Sequence, residues 1–397
     1  VTAPTLSADI GYDPFAPEVI ADPNPWYRRL NELDAPYWCE PRKLWVLARY
    51  EHVRAAARNA EQLSSAEGVS YMRLGLPMLI TTDPPDHTRL RRLVARDFTP
   101  RAIEQWRATI DRLVAAHVPP FVAGGGGDWI EAVAEPFPVL VIADILGVPA
   151  SDFEQFKVWS EDLVAAFGLA DQVEPDAAEL LAAMESIRGM TEYFGELAER
   201  RRREPGDDFI SRLVAHGDAI SDAEVRWMCL LLLVAGNETT TNLLGSLVAA
   251  LLEHPDAWAR LRADPGLVPV AVEEALRHDS PIQGLFRTAA VDVECAGAHI
   301  ARGSRVLLLY AAANRDPAHV DDPDAFRLDR GDLEHVGFSS GPHHCLGAHL
   351  ARMETAAALR ALIDAGVTSL AAAGEVVRTT NPTLRGVREL PLSVEVA

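Results

Sequence analysis

The sequence predicts a mainly α protein with small β-sheets, built as one domain. Three observations predict this. Long stretches carry apolar residues at three- and four-residue spacing, strand patterns are few and short, and no Pro/Ser-rich linker divides the 397 residues. No period of roughly 20–50 residues repeats, which excludes a solenoid or propeller.

Taken in order, residues 1–15 read as an extension, and 44–48 alternate as a strand. Residues 51–60, 87–98, 102–118, 151–167 and 176–203 have helical periodicity. The glycines at 124–127 lack the Lys-Ser/Thr of a phosphate loop and run into Asp128-Trp129, so a plain turn is expected. The longest helix is expected over 221–252, opened by a capping box of Ser221 and Glu224 and closed ahead of Pro255. Strands are expected at 291–295, 299–300 and 305–309, and a final amphipathic helix at 346–363.

Charge and composition narrow the function. The chain carries 37 Lys plus Arg against 58 Asp plus Glu, a net −21, and only Lys43 and Lys157 are lysines. Such acidity without a basic tail argues against nucleic acid or anionic lipid as partner. The longest strongly apolar run, 229–236, is too short to cross a bilayer, and the first residues lack the basic and apolar parts of a signal peptide. The four cysteines, Cys39, Cys229, Cys295 and Cys345, form no paired framework, which fits a reducing cytoplasm. A cytoplasmic enzyme is the expected class.

The segment 338–352 holds the densest chemistry. A loop with Gly341 and Pro342 delivers Cys345 to a helix N-terminus, where free N–H groups and the positive dipole end stabilise a thiolate. Such a thiolate is a metal ligand, a nucleophile or an inert buried thiol. Zinc competes on spacing, since His343, His344 and His349 surround Cys345, but no second Cys/His cluster completes a tetrahedral site.

Phe338, Gly341, His343, Cys345 and Gly347 stand in the pattern Phe-x-x-Gly-x-His-x-Cys-x-Gly. This segment resembles the haem-binding loop of the bacterial cytochrome P450 family. The resemblance implies a prism-like fold in which haem b lies between the long central helix and the helix after the cysteine. Cys345 would be the proximal thiolate on iron, Phe338 would shield the sulfur, and the glycines of the motif, Gly341 and Gly347, would let the backbone pass close to the porphyrin and donate N–H groups to that sulfur. Ser339 departs from the family, which usually has Gly there; this puts the local turn in question, not the ligand.

Other motifs agree in order and distance. Glu274 and Arg277, three apart on one helical face, resemble the family's Glu-x-x-Arg pair, and 313–317 with Phe326 and Arg330 resemble the rest of its bracing network. Their implied role is structural. In the long helix, Ala235, Gly236, Asn237, Glu238, Thr239 and Thr240 break an apolar run, and a buried acid beside a hydroxyl needs a reason. A threonine hydroxyl there competes for a helical carbonyl and opens a groove. By resemblance, Ala235 and Gly236 line the haem, Thr239 hydrogen-bonds dioxygen as it is activated, and Glu238 gates proton delivery. His87, Arg91, Arg287 and His343 match the family's propionate contacts.

The function this implies is a monooxygenase that puts one atom of O2 into a small apolar or aromatic substrate, by hydroxylation or O-demethylation. The chain has no nucleotide fingerprint and no cysteine cluster for an iron–sulfur centre, so electrons are expected from NAD(P)H through a reductase and a ferredoxin or flavodoxin. Arg89, Arg92 and Arg96 are the expected docking cations. A peroxygenase using hydrogen peroxide, and a monooxygenase of a larger terpenoid or polyketide metabolite, are the alternatives. The expected pocket draws on 71–80, 164–169, 231–235, 282–286 and 383–384, with Met78, Leu231, Leu232, Ala235, Ile282, Leu285, Phe286 and Leu384 as its walls. Arg73 is the one cation in reach of a carboxylate substrate.

Overall fold

The computed structural model describes residues 10–172, 176–331 and 333–397. The helix Asp222–Glu253 runs through the centre of the body, and 20 of its 32 residues are buried. Its start is fixed as the sequence predicts. Ser221 Oγ accepts from the Glu224 N–H at 3.3 Å, and the Glu224 carboxylate accepts from the Ser221 N–H at 2.8 Å. Against it pack Pro136–Leu146, Phe153–Ala170, Ala177–Arg203, Val268–His278 and Ala348–Asp364, and Arg107–Ala123 packs on Pro136–Leu146 and Ala348–Asp364. These helices enclose the main apolar core, which runs from Met78 to Leu392.

Helix Pro136–Leu146 has no counterpart in the sequence reading because it is apolar all round. A helix buried on every side shows no polar face and therefore no amphipathic period. Helix 102–118 is displaced: a short helix at Pro100–Ile103 and a 3-10 turn precede Arg107–Ala123.

The main sheet has five strands in the order Tyr37–Cys39, Leu44–Leu47, Arg305–Leu308, Leu285–Ala289, Leu63–Ser64. The Leu44–Leu47/Arg305–Leu308 pair is parallel and the others antiparallel. Ala298–Ile300 pairs separately with Val293–Cys295. The glycine run is not a plain turn. Gly126–Asp128 is an edge strand on Pro391–Val396, and Gly126 and Gly127 adopt φ of +114° and +139°. Asp128 Oδ1 then accepts from the N–H groups of Ile130 and Glu131, so helical turns do follow.

The predicted extension is also partly absorbed into the body. Residues 1–9 lie outside the described residues, but Tyr12 is buried and Phe15 packs 4.5 Å from Tyr71.

Candidate active site

Cys345 is delivered by a loop tied at both ends. Val336 N–H donates to Asn314 Oδ1 at 2.7 Å, Ser339 N–H to the Val336 carbonyl at 2.8 Å, and Cys345 N–H to the Phe338 carbonyl at 2.9 Å. Gly341 has φ +71°, and a Cβ there would lie 2.6 Å from Arg58 Cα, so the loop passes the helix Tyr50–Arg58 only as glycine. The Gly347 N–H points at the Cys345 sulfur. Burial pushes the Cys345 thiol up, while that N–H and the Arg91 and Arg352 guanidiniums pull it back. Arg352 also lies 4.6 Å over the Phe338 ring. Arg352 went unread in the sequence although it stands seven residues, about two helical turns, past Cys345.

The four residues expected at the propionates converge beside this loop. The His87 and His343 rings are 4.3 Å apart, and Arg91 Nη2 donates to the His344 carbonyl at 2.6 Å. Arg287 Nη1 donates to the Phe286 carbonyl at 2.8 Å. Burial, then Arg287, His87 and Arg91, drive the His343 imidazole down to about 3. Two donors are stranded: His87 Nε2 and Arg287 Nη2 are buried with no hydrogen-bond partner among the described residues. Buried donors among like charges call for an anion. His343 turns to this corner and to Ser65 Oγ (3.3 Å), while His344 faces Phe338, 6.4 Å between rings. The two histidines therefore diverge. Among the described residues no cluster of three or more His, Cys, Asp or Glu is placed to hold a metal ion.

On the central helix, Ala235 is exposed between buried runs, so it faces an open space inside the body. Thr239 Oγ1 donates to the Ala235 carbonyl at 2.7 Å, the back-bond that loosens a helical turn. Asn242 Nδ2 donates to Glu238 Oε1 at 3.2 Å, and burial, with the Glu135 carboxylate nearby, raises the Glu238 carboxyl. Gly236 needs a different account from the sequence reading. A Cβ there would lie 2.5 Å from Ile142 Cδ1, so the glycine serves packing against Pro136–Leu146.

Behind the loop, Arg277 and Glu274 are 0% and 1% exposed and joined by two bonds of 2.9 Å. Arg277 also donates to the carbonyls of Asn314, Pro323 and Ala325, and Arg330 Nε donates to Glu274 Oε1 at 3.0 Å.

The predicted pocket walls fare unevenly. Ile282 and Leu384 face each other across a β-bridge and are half-buried, as is Leu285. Leu231 and Leu232 are buried on the central helix, and Met78 is closed into the main core. Phe286 is not a wall. Strand side chains alternate, so with Arg287 facing the cationic corner, Phe286 points the other way, into the cluster of Phe15 and Tyr71. Arg73 is occupied on the outside by Glu67 and the Gly303 carbonyl (2.8 Å). Within 164–169, the side chains of Val164 and Phe167 lie outside the described residues.

One constellation had no signal in the sequence. Asp171, at the end of Phe153–Ala170, accepts from Thr383 Oγ1 and from the Tyr71 N–H (3.0 Å), and the Met72 N–H donates to the Ala170 carbonyl. It joins three segments that lie far apart along the chain.

Residues 266–365 match the family model "Cytochrome P450". The chain is 37% identical over 387 residues to the β-dihydromenaquinone-9 omega-hydroxylase of Mycobacterium tuberculosis, covering 96% of this chain and 78% of that one. It is 38% identical to cytochrome P450 107B1 of Saccharopolyspora erythraea, over 85% of this chain and 83% of that one. The chain belongs to the cytochrome P450 family. Among solved structures, P450BioI in complex with hexadec-9Z-enoic acid ligated acyl carrier protein superposes with a TM-score of 0.88 at 32% identity, covering 95% and 100% of the two chains. CYP109E1 of Bacillus megaterium in complex with testosterone gives 0.86 at 33%, covering 96% and 100%.

As a P450, the protein is a haem-dependent oxidoreductase that draws on dioxygen and an external electron donor. The residues present fit haem b. Cys345 offers a sulfur with an N–H aimed at it, and the stranded His87 and Arg287 donors suit the carboxylates of its propionates. No helix among the described residues is long and apolar enough to cross a membrane.

Proposed function

We propose that this P450 inserts one atom of O2 into an apolar organic substrate, with Cys345 on the haem iron, His87, Arg91, Arg287 and His343 around the propionates, and Thr239 and Glu238 managing protons. Bound haem with a thiolate ligand supplies an iron centre that favours O–O cleavage. The observation that carries the monooxygenase reading is the pair on the central helix. Glu238 is biased toward its proton-bearing form by burial, and Thr239 holds a hydroxyl one turn from the exposed Ala235. Asn242 holds the Glu238 carboxyl in one orientation on the same helix. Two protons must be delivered in order when O2 is the oxidant, and an acid paired with a hydroxyl supports that delivery.

The reduced protein is expected to show a strongly red-shifted Soret band with carbon monoxide, and Cys345→Ala to lose it. A haem-free or histidine-type spectrum in the wild type would refute the ligand. Thr239→Ala is expected to bind substrate normally while most electrons from NAD(P)H emerge as hydrogen peroxide. Unchanged coupling would remove Thr239 from proton management, while turnover with hydrogen peroxide but none with NAD(P)H and redox partners would return the peroxygenase reading.

For the substrate, the half-buried Ile282, Leu285 and Leu384 supply apolar walls, and Arg73 is engaged elsewhere, so no carboxylate clamp stands in the described pocket. Small aromatic compounds, including aryl methyl ethers, fit this chemistry. A larger lipophilic metabolite is the second reading, favoured by relatives whose names and complexes include dihydromenaquinone-9 and testosterone. A spin-state shift of the Soret band on titration with methoxyarenes, against steroids, fatty acids and isoprenoid quinones, separates the two.

Electrons would arrive from NAD(P)H through a reductase and an acidic ferredoxin or flavodoxin at the face of the Cys345 loop. Arg89 is already spent on Glu224 and the Ala219 carbonyl, leaving Arg92 and Arg96 exposed. A surface groove flanking the helix after Cys345 is lined by Arg107, Arg352 and Arg360 but equally by Asp111, Glu273 and Asp364, so it leaves Arg92 and Arg96 as the docking cations.

A further inference from the structure

Ser339 stands in the Cys345 loop with φ +61°, in the left-handed region that a side chain enters only at a cost. A glycine would sit there freely. The serine does not sit there unsupported. Its Oγ donates to Tyr310 Oη at 3.0 Å, and Tyr310 is 1% exposed at the start of Tyr310–Ala313. Asn314, one residue past that short helix, is the group that accepts from the Val336 N–H. The same segment therefore clamps the loop twice, once through a backbone donor and once through a side chain.

We propose that Tyr310 is a positioning residue for the haem-ligand loop, its hydroxyl holding Ser339 in the left-handed conformation and thereby fixing the stretch that carries Cys345. The inference rests on the haem-thiolate reading of Cys345. The Tyr310–Ser339 pair does here what the absence of a Cβ lets glycine do by itself, and the two solutions are alternatives. With glycine at 339 the hydroxyl has nothing to hold. With serine and no hydroxyl, the loop carries an unbraced left-handed residue and rearranges more readily.

The test is a double-mutant cycle on the full-length holoprotein, read by the rate at which haem passes to excess apomyoglobin and by the ferric/ferrous midpoint potential. Tyr310→Phe keeps the buried ring and is expected to speed haem loss by about five- to tenfold and to move the potential, the scale set by an unsupported left-handed residue. Ser339→Ala, which leaves the core untouched, is expected to do the same. Ser339→Gly is expected to stay within about twofold of wild type, and Tyr310→Phe in that background to have no further effect. Equal effects of Tyr310→Phe in both backgrounds, or none in the wild type, would overturn the proposal. Failure of the haem reading is separately visible, because the wild type would then lack the red-shifted carbon-monoxide band.

Discussion

The Cys345 side of the site and the substrate side are built by different physics. On the Cys345 side, directional bonds hold nearly every turn: Arg277 reaches Glu274 and three backbone carbonyls, Asn314 holds Val336, and Arg352 bridges Glu273 and Phe338. On the substrate side, the expected walls Leu231, Leu232, Ile282 and Leu384 are apolar side chains, and uncharged or singly charged groups tie the separate segments: Gln283 joins Tyr27 to the Asn381, Pro382 and Leu384 carbonyls, and Asp171 joins Tyr71 to Thr383. A buried network of charged groups accepts only certain residue types at certain places, because one missing partner strands the rest. An apolar wall accepts any side chains of suitable volume. The first side must stay the same from substrate to substrate, and the second is free to change.

Arg277→Ala attacks the first side at its centre. It leaves Glu274 fully buried and short of two bonds, at a cost of about 3–5 kcal/mol. The variant is expected to be purified with little haem, seen in the Soret-to-protein absorbance ratio, and to melt far below wild type. Leu384→Val on the other side is expected to change which compounds shift the Soret band while moving the melting midpoint little. If both variants lost haem alike, the contrast between the sides would fail.

Asp171 sharpens the contrast, since it is a buried carboxyl on the substrate side. Burial raises its carboxyl from 3.8 to about 6, against the pull of Thr383, the Tyr71 N–H and Arg305. A raised folded-state value means the group favours the fold below about pH 4, and that contribution is lost as pH rises through about 6. Asp171→Asn removes the titration. Its stability relative to wild type is expected to rise by roughly 2–3 kcal/mol between pH 4 and pH 7, measured by urea unfolding at each pH. Acid unfolding from other carboxylates is common to both proteins and cancels in the difference. A flat difference would show that the carboxylate is ionised and paired throughout.

The same contrast explains what the sequence could disclose. Cys345, Glu274, Arg277, His87 and Arg287 were legible because their chemistry demands those residue types at fixed spacing. The Asp171–Thr383–Tyr71 junction was not, since its members are scattered and each is an ordinary loop residue alone. Phe286 was misread for want of one step: strand alternation excludes it from a surface that Arg287 faces. Helix Pro136–Leu146 was invisible because an all-round apolar stretch carries no period. Ser339 was read as a departure, but its partner Tyr310 lies in another element and only the folded chain pairs them.

Electron delivery gives a smaller expected effect. Arg92→Glu with Arg96→Glu changes exposed charge only, so the carbon-monoxide spectrum and melting midpoint are expected to hold. The KM for an acidic carrier is expected to rise several-fold at low salt, the difference fading as added salt screens the surface. An unchanged KM would move the docking surface elsewhere.

Gly236→Ala carries the smallest effect and separates two reasons for one glycine. If the position is glycine to admit a ligand, an added methyl should perturb haem or substrate binding and leave stability alone. The geometry says otherwise, because the new Cβ would meet Ile142 Cδ1 at 2.5 Å. That atom ends a flexible side chain, so the clash is relieved by a rotamer shift at a cost of about 1 kcal/mol. The variant is expected to lose a few degrees in melting midpoint with an unchanged carbon-monoxide spectrum. Ile142→Val removes Cδ1 but keeps Cγ1, which would lie 2.7 Å from the new Cβ, so it is expected to restore part of the loss in the double variant, although alone it costs roughly 0.5–1.5 kcal/mol. Rescue would place Gly236 among the packing residues. A spectral change without rescue would return it to the ligand's wall, where its place in the motif had first put it.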